Sequence, residues 1–332
     1  MRFLISFLMV VLLPVMQVQA ADELLVYSGR SDKFVKPVMD AFSRATGIKV
    51  VLHAGSSTAL LNKLQLEGKR SQADIYISND AGNLQKGADL KLFRAIPKNI
   101  ARNVPSNYRS KQNDWLGLSA RARVLVVNSH DPVVKGVNSV FDLAKPALKG
   151  KIALTHSGNE SYIAGVSVYM QLKDKKFVSQ WLNGMKQNLD DGVFNKHSKI
   201  VKAVASGKKA VGLVNHYYIY RHLEKHPDAP IRILLPDQAK GGIGVAWNVA
   251  GAAITRYSKK PAVAEKLMAF MVSKEGQKLF ASVNREYPTR PGISAAREVP
   301  AVGSFKVADI PMASLGHLRN DTLDLIEAVG MP

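Results

Sequence analysis

Two adjacent tyrosines, Tyr217 and Tyr218, follow the apolar run Val211–Val214 after only Asn215 and His216. We expect the run to be a β-strand and the tyrosines to lie at its end, outside a helix, so that both phenols face one crevice. A phenol has a pKa of about 10, so at neutral pH it ionises only beside a strong positive charge. A hard trivalent cation such as Fe(III) supplies that charge. The pair alone leaves open the commoner alternative, aromatic residues of a core or an interface.

A polar segment, His156-Ser157-Gly158-Asn159-Glu160-Ser161, joins the predicted strand Ile152–Leu154 to a predicted helix over Ser161–Leu172. The first backbone N–H groups of a helix have no partner within it, so the segment is a candidate anion site. Capping of the helix by Ser157 or Asn159 is an equally good interpretation.

Two histidines, His222 and His226, lie four residues apart and would share one face of a helix, as a zinc pair does. Glu224 is the one acidic neighbour and Pro227 follows directly, so we interpret the pair as an exposed helix end. No Gly-x-Ser-x-Gly elbow and no convincing Ser/His/Asp grouping is present, so we expect the protein not to be an enzyme.

The composition of the 332-residue chain is that of a folded protein of about two domains, with 46% hydrophobic and 22% charged residues. The absence of cysteine excludes disulfides, thiolate metal sites and cysteine nucleophiles. The formal charge of +20 would suit nucleic acid, an anionic membrane surface or an acidic small ligand, but a merely well-solvated surface is the favoured interpretation.

The N-terminus has the pattern of a cleavable export signal: Arg2, the apolar run Phe3–Met16, and then Val18-Gln19-Ala20. The run is shorter than the roughly 20 residues of a membrane-spanning helix and contains Pro14. We therefore expect a mature chain from Ala21 in the periplasm, with no stable membrane anchor and no nucleic-acid partner, and we expect it to be a monomer.

Strand-like and helix-like segments alternate after the signal, which predicts an α/β fold with a mainly parallel sheet and two lobes around a cleft. We assign residues 21–120 and about 255–285 to lobe 1, and residues 121–254 and about 286–332 to lobe 2. In lobe 1, polar residues follow three predicted strands, where open α/β sheets bind ligands. The candidates there are Arg30, Ser31, Ser57, Asn79 and Asp80.

Seven segments, taken in order, resemble the periplasmic ferric-ion-binding proteins of bacterial ABC iron importers. They are Val26-Tyr27-Ser28-Gly29-Arg30, Thr46-Gly47-Ile48-Lys49-Val50, Ala73-Asp74-Ile75-Tyr76, Arg121-Ala122-Arg123-Val124, Leu148-Lys149-Gly150-Lys151-Ile152, Gly212-Leu213-Val214-Asn215-His216-Tyr217-Tyr218 and Glu286-Tyr287-Pro288-Thr289-Arg290-Pro291-Gly292. The resemblance implies a two-lobed periplasmic binding protein fold with a hinge and a central cleft. It also implies that the protein delivers Fe(III) to an ABC permease in the inner membrane.

The resemblance also implies roles for individual residues. Tyr217 and Tyr218 match the tyrosine pair that holds iron in the family. The loop Ser157-Gly158-Asn159, with Asn215, matches the site of a synergistic phosphate or carbonate, and Arg121 matches an arginine that some members use for that anion.

The sequence departs from the family pattern on the lobe 1 side of the cleft. Ser31 stands where many members have a histidine ligand, and Asn79 stands where they have a glutamate. Asp80, Glu160 or Tyr162 would be substitutes, or exogenous anions and water would complete the iron shell. The alternative function is a binding protein for a small anion, such as a phosphonate or a sugar phosphate, or for chelated iron.

Overall fold

A computed structural model describes residues 23–332, so the predicted export signal lies outside the described residues. Within them the strands are β1 Glu23–Ser28, β2 Lys49–Ala54, β3 Ile75–Ser78, β4 Phe93–Arg94, β5 Leu116–Asn128, β6 Ile152–Thr155, β7 Val193–Phe194, β8 Val211–Asn215, β9 Ile231–Leu234, β10 Ala246–Thr255 and β11 Tyr287–Pro288. The α-helices are α1 Asp32–Thr46, α2 Ser57–Glu67, α3 Ala81–Asp89, α4 Lys98–Ala101, α5 Glu160–Leu172, α6 Lys175–Asn188, α7 His197–Ala205, α8 Tyr217–Leu223, α9 Pro261–Met271, α10 Lys274–Asn284, α11 Ser314–His317 and α12 Arg319–Val329. None of the helices in this part of the chain is long and apolar enough to span a bilayer.

Local sequence signals account for the ends of the first two helices. Helix α1 buries Val35, Val38 and Phe42 on one face, and it ends at Gly47, whose φ of 73° lies in the left-handed region. The Gly47 N–H donates to the Ser43 carbonyl. Ser56 caps α2, because its hydroxyl accepts a hydrogen bond from the Ala59 N–H.

The sheet runs in the order β2-β1-β3-β10-β5-β8-β6-β7. One end is the parallel block of β2, β1 and β3, and the other is the parallel block of β8, β6 and β7. Between them, β10 pairs antiparallel with both β3 and β5, and β5 pairs antiparallel with β8. The predicted α/β fold with two lobes is confirmed. The expectation of a mainly parallel sheet was wrong, because β5 and β10 pair antiparallel with their neighbours and make the sheet mixed.

The long strands β5 and β10 connect the two blocks. Every residue of both strands is buried. Their pairing shifts register between Ala250 and Gly251. Such an irregularity in a pair of crossing strands is a point where a sheet bends.

The predicted lobe boundaries stay a prediction, and the C-terminal residues show why they are hard to draw. Helix α12 packs against α5 and α6 of the β8-β6-β7 half, as the assignment of residues 286–332 to lobe 2 requires. Helix α11 packs against α3, which belongs to the other half. The C-terminal segment therefore contacts both halves of the fold.

Candidate functional site

A cleft of about 610 Å³ lies between the two blocks of the sheet. Its first wall comes from the loops that follow β1, β2 and β3 and includes Gly29, Ser31, Ser56, Thr58 and Asn79. Its second wall comes from the β6–α5 loop and the starts of α7 and α8 and includes His156, Gly158, Asn159, Glu160, Ser161, His197, Asn215, Tyr217 and Tyr218. Eight of the predicted site residues thus line one cavity: Ser31, Asn79, Gly158, Asn159, Glu160, Asn215, Tyr217 and Tyr218.

Tyr217 and Tyr218 face this cleft, but they are the first two residues of helix α8, so the expectation that they lie outside a helix was wrong. The helix starts at once because His216, directly after β8, already has helical dihedral angles and its carbonyl accepts from the Ile219 N–H. The centroids of the two tyrosine rings are 4.6 Å apart. Adjacent phenols at a helix start can therefore share one ligand.

The Tyr217 hydroxyl accepts a hydrogen bond of 3.2 Å from the Asn215 side-chain amide. Burial and the neighbouring Tyr217 phenol raise the pKa of Tyr218 well above its ordinary value. Without a cation Tyr218 is therefore protonated at neutral pH. A metal ion that binds it must displace the proton, so metal binding here releases protons and weakens as the pH falls.

A buried arginine, Arg123 of β5, lies behind the second wall. Burial lowers its pKa to about 10, and its Nε and Nη2 atoms find no hydrogen-bond partner among the described residues. Its Nη1 donates to the Asn215 side-chain amide oxygen, Oδ1, at 3.4 Å. The hydroxyls of the buried Tyr162 and Tyr169 also lack partners within this part of the chain. Uncompensated positive charge at this position favours an anionic occupant of the second wall.

Two histidines line the same wall: His156, from the predicted anion segment, and His197, which sequence reasoning missed. The His197 ring packs on Tyr218 with centroids 5.1 Å apart. Burial and the nearby Arg123 and Arg121 lower the pKa of His197 well below its ordinary value, so the ring is a neutral imidazole. No local motif marks His197, because it comes to the cleft from the start of α7.

The first wall offers neutral oxygen and amide groups. The Asn79 side-chain amide donates to the Gly29 carbonyl at 2.9 Å, and the Asn79 N–H donates to the Ser57 hydroxyl at 3.0 Å. A Cβ on Gly29 would lie 2.2 Å from the Ser57 Oγ, so this loop needs glycine. On the loops after β1 and β3, none of the residues that line the cleft has a charged side chain.

Asp80, a predicted metal ligand, is fully buried and turned away from the cleft. Its carboxylate caps α3 by accepting hydrogen bonds from the backbone N–H of Asn83 at 2.9 Å and from the Asn83 side chain at 2.8 Å. A guanidinium nitrogen of Arg319 lies 3.7 Å away. The helix cap and this cation, rather than the cleft, occupy its oxygens.

Glu160 joins the two walls. Its carboxylate accepts a hydrogen bond of 2.9 Å from the Ser57 hydroxyl and one of 3.3 Å from the Thr58 N–H at the start of α2. Arg319 of α12 donates to the Thr58 hydroxyl at 3.2 Å. Burial and the neighbouring Asp80 raise the pKa of Glu160. We call this contact the Glu160 bridge, and it closes one side of the cleft.

Two predicted arginines lie behind the walls rather than on the cleft. Arg30 forms a buried ion pair of 2.6 Å with Glu286 and donates to the Ser119 hydroxyl at 3.1 Å. Arg121 donates to the Asn79 carbonyl, and its Nη1 has no partner among the described residues. Arg30 is therefore a structural cation, whereas Arg121 links β5 to the first wall.

In the predicted anion loop, helix capping is the role that the structure shows. Asn159 caps α5 by accepting hydrogen bonds from the N–H groups of Ser161 and Tyr162. The Ser157 N–H donates to the Pro332 carbonyl at 2.7 Å, and Ser157 does not line the cleft. Gly158 does line it.

Within residues 23–332 no three His, Cys, Asp or Glu side chains converge as metal ligands. The paired phenols are thus the groups in the cleft best suited to a hard cation.

Residues 24–282 match the profile of the bacterial extracellular solute-binding proteins. The chain belongs to this family. The resemblance inferred from the sequence is confirmed.

Several relatives of this solute-binding protein have names or titles that mention iron. The Fe(3+)-binding periplasmic protein of Serratia marcescens is 28% identical over 321 residues, which cover 95% of this chain and 93% of the relative. The crystal structure of iron-bound HitA from Pseudomonas aeruginosa has a TM-score of 0.87 at 27% identity and covers 93% of this chain and 100% of that one. The Trichodesmium protein IdiA (FutA), in complex with iron and citrate, has a TM-score of 0.82 at 28% identity, with coverage of 93% and 100%.

Proposed function

We propose that the protein binds Fe(III) in the cleft through the phenolates of Tyr217 and Tyr218 and delivers it in the periplasm to an ABC permease. The observation that carries the proposal is the tyrosine pair on the second wall, with ring centroids 4.6 Å apart. The iron-binding relatives support the same ligand. We propose no catalytic step.

The rest of the iron shell comes in part from outside the protein. Ser31 and Asn79 offer neutral oxygen, which is a weaker donor for Fe(III) than a carboxylate or a phenolate. A synergistic anion, phosphate or carbonate, would lie on the second wall beside Gly158, Asn159 and Asn215. The partner-free nitrogens of Arg123 and Arg121 supply positive charge behind this position.

The decisive experiment is visible absorption of protein loaded with ferric citrate. Coordination of phenolate to Fe(III) produces a charge-transfer band, and the double substitution Tyr217→Phe with Tyr218→Phe abolishes it. Tyr220→Phe is the matched control, because Tyr220 lies on the same helix but not on the cleft. A colourless wild-type protein, or a band that survives in the double variant, would overturn the proposal.

A second candidate function is binding of a small anion without iron. The uncompensated Arg123 and the neutral first wall favour it. Calorimetry of metal-free protein with phosphate, a phosphonate and a sugar phosphate tests it. Tight binding without metal, together with the absence of the iron band, would establish this candidate in place of the first.

A further inference from the structure

A second cavity, of about 460 Å³, lies on the other side of Tyr218 from the iron cleft. Five cations line it, and we call the cavity the basic recess. Four of them, Lys33, Lys202, Arg221 and Lys225, are its rim cations, and the fifth is Arg285. It falls within the range of roughly 300–1,000 Å³ that is usual for small-molecule sites.

The positive charge of the basic recess is not balanced from within. Glu224 is the one acidic residue that lines it, and its carboxylate pairs with Arg285 at 2.7 Å. Arg285 is paired a second time, with Glu298 at 2.7 Å. Among the described residues, none of the four rim cations forms an ion pair.

Two of the rim cations, Arg221 and Lys33, lie against the same aromatic ring. The Arg221 guanidinium lies 4.5 Å from the centroid of Phe34, and the Lys33 ammonium lies 5.1 Å from it. Burial, followed by repulsion from Arg221, Lys196 and Lys225, lowers the pKa of Lys33. Like charges held together in this way lose their repulsion when an anion lies between them.

The recess also spans both halves of the fold. Lys33 belongs to α1, which packs beside the first block of the sheet, whereas Lys202 and Arg221 belong to α7 and α8 beside the second. A ligand that touches all of them bridges the two halves. The His222 and His226 rings, 4.8 Å apart, supply further nitrogen donors at the same rim.

We propose that the basic recess binds a small polyanion with three or more negative charges, of the condensed-phosphate or tricarboxylate type. Four unpaired cations match such a charge, and the volume of about 460 Å³ suits a small molecule. The site is distinct from the iron cleft, and the bound polyanion stabilises the closed arrangement by bridging α1 to α7 and α8.

The test is calorimetry of the iron-free protein with sodium tripolyphosphate and, separately, with citrate. We expect one site for at least one of the two, and the stronger binder identifies the class. The double substitution Lys202→Gln with Lys225→Gln weakens binding by about tenfold or more, since each lost charged contact costs part of the affinity. Lys202 and Lys225 are exposed and do not line the cleft, so the variant is expected to fold.

The matched control is Lys149→Gln with Lys176→Gln, which removes the same charge from exposed positions outside the recess. An equal loss of affinity in the control would show that the polyanion responds only to the general positive charge of the surface, and it would overturn the proposal. No binding of either polyanion would also overturn it.

Iron loading of the same variants separates this proposal from the proposed function. Lys202→Gln with Lys225→Gln keeps the visible band, whereas Tyr217→Phe, at a residue that lines the cleft but not the recess, weakens the band and still binds the polyanion. Loss of polyanion binding in Tyr217→Phe, with retention in the lysine variant, would place the polyanion in the iron cleft and overturn the proposal.

Discussion

The two walls of the cleft differ in the chemistry that they present. The second wall has two phenols, two imidazoles and a buried arginine behind them, whereas the first has hydroxyl, amide and backbone groups. A binding site built in this way holds the ligand mainly on one wall and uses the other to cover it. Because the strong donors are all on the second wall, we expect the ligand to bind there first and the first wall to close over it afterwards.

Single substitutions on the two walls measure this difference, and they have the largest expected effect. Tyr217→Phe removes a phenolate donor and lowers the apparent iron affinity by more than about 100-fold. This exceeds the loss of affinity that is usual when a residue that only supports a metal ligand is mutated. Asn79→Ala lowers it by less than about tenfold, because Asn79 offers a neutral group. Competition with a chelator of known affinity gives both values. Equal losses would show that the walls share the iron evenly.

Arg30, behind the first wall, is a structural cation, and its removal tests that role. Arg30→Met leaves the Glu286 carboxylate buried and unpaired, which lowers the free energy of unfolding by about 3–5 kcal/mol. Urea denaturation measures the loss. The double variant Arg30→Met with Glu286→Leu regains part of it, since no charge stays buried. If Arg30→Met is as stable as the wild type, the ion pair has no structural role.

His216 anchors the second wall and gives it a pH dependence. Its Nδ1 accepts from the Ala122 N–H at 3.2 Å and its Nε2 donates to the Arg285 carbonyl at 2.7 Å, which requires the neutral ring. Burial lowers its pKa to about 4. The unfolded chain therefore binds the proton more tightly, and stability falls as the pH drops from about 6.5 towards about 4, by about 3 kcal/mol in total.

The measurement is denaturation of the wild type and of His216→Gln at several pH values. Gln keeps a donor and an acceptor but does not titrate, so its curve is flatter across this window. The comparison of the two proteins removes the contribution of the other titrating groups. Parallel curves would show that His216 does not control the pH dependence.

The smallest effect is expected where the walls meet. Glu160→Gln weakens the Glu160 bridge to Ser57 and Thr58, which contributes on the order of 1 kcal/mol to closure. The iron-free variant is more open, and small-angle scattering detects a larger radius of gyration. Glu327→Gln, at an exposed position of α12, is the control for charge. An unchanged radius in Glu160→Gln would contradict the bridge.

The parts of this architecture that depend on near neighbours in sequence were predictable. Gly47 ends α1 and Ser56 caps α2 through contacts within four residues, and the apolar spacing of α1 marks its buried face. The tyrosine pair was found for the same reason. Its helical setting was missed because β8 runs directly into α8, with no break in the sequence to mark the change.

The residues that sequence reasoning missed come to the site over long distances. Arg123 lies in one of the seven segments that resemble the family, and nothing near it in sequence shows that two of its guanidinium nitrogens have no partner among the described residues. Arg319 reaches Thr58 across 261 positions. Asp80 was misplaced because a residue after a strand can face a crevice or cap the next helix, and only the packed structure decides between the two.

The contacts of Arg319 with Thr58 and Asp80 affect the order in which parts of the chain fold. Segments close in sequence, such as β1, α1 and β2, can form early, whereas a contact of such long range forms after most of the chain is in place. Until α12 docks, the carboxylate of Asp80 lacks its cation and the Thr58 hydroxyl lacks its hydrogen bond from Arg319. The mouth of the cavity is therefore among the last parts to mature, and a chain caught before that step is expected to fold its sheets yet hold its cargo poorly.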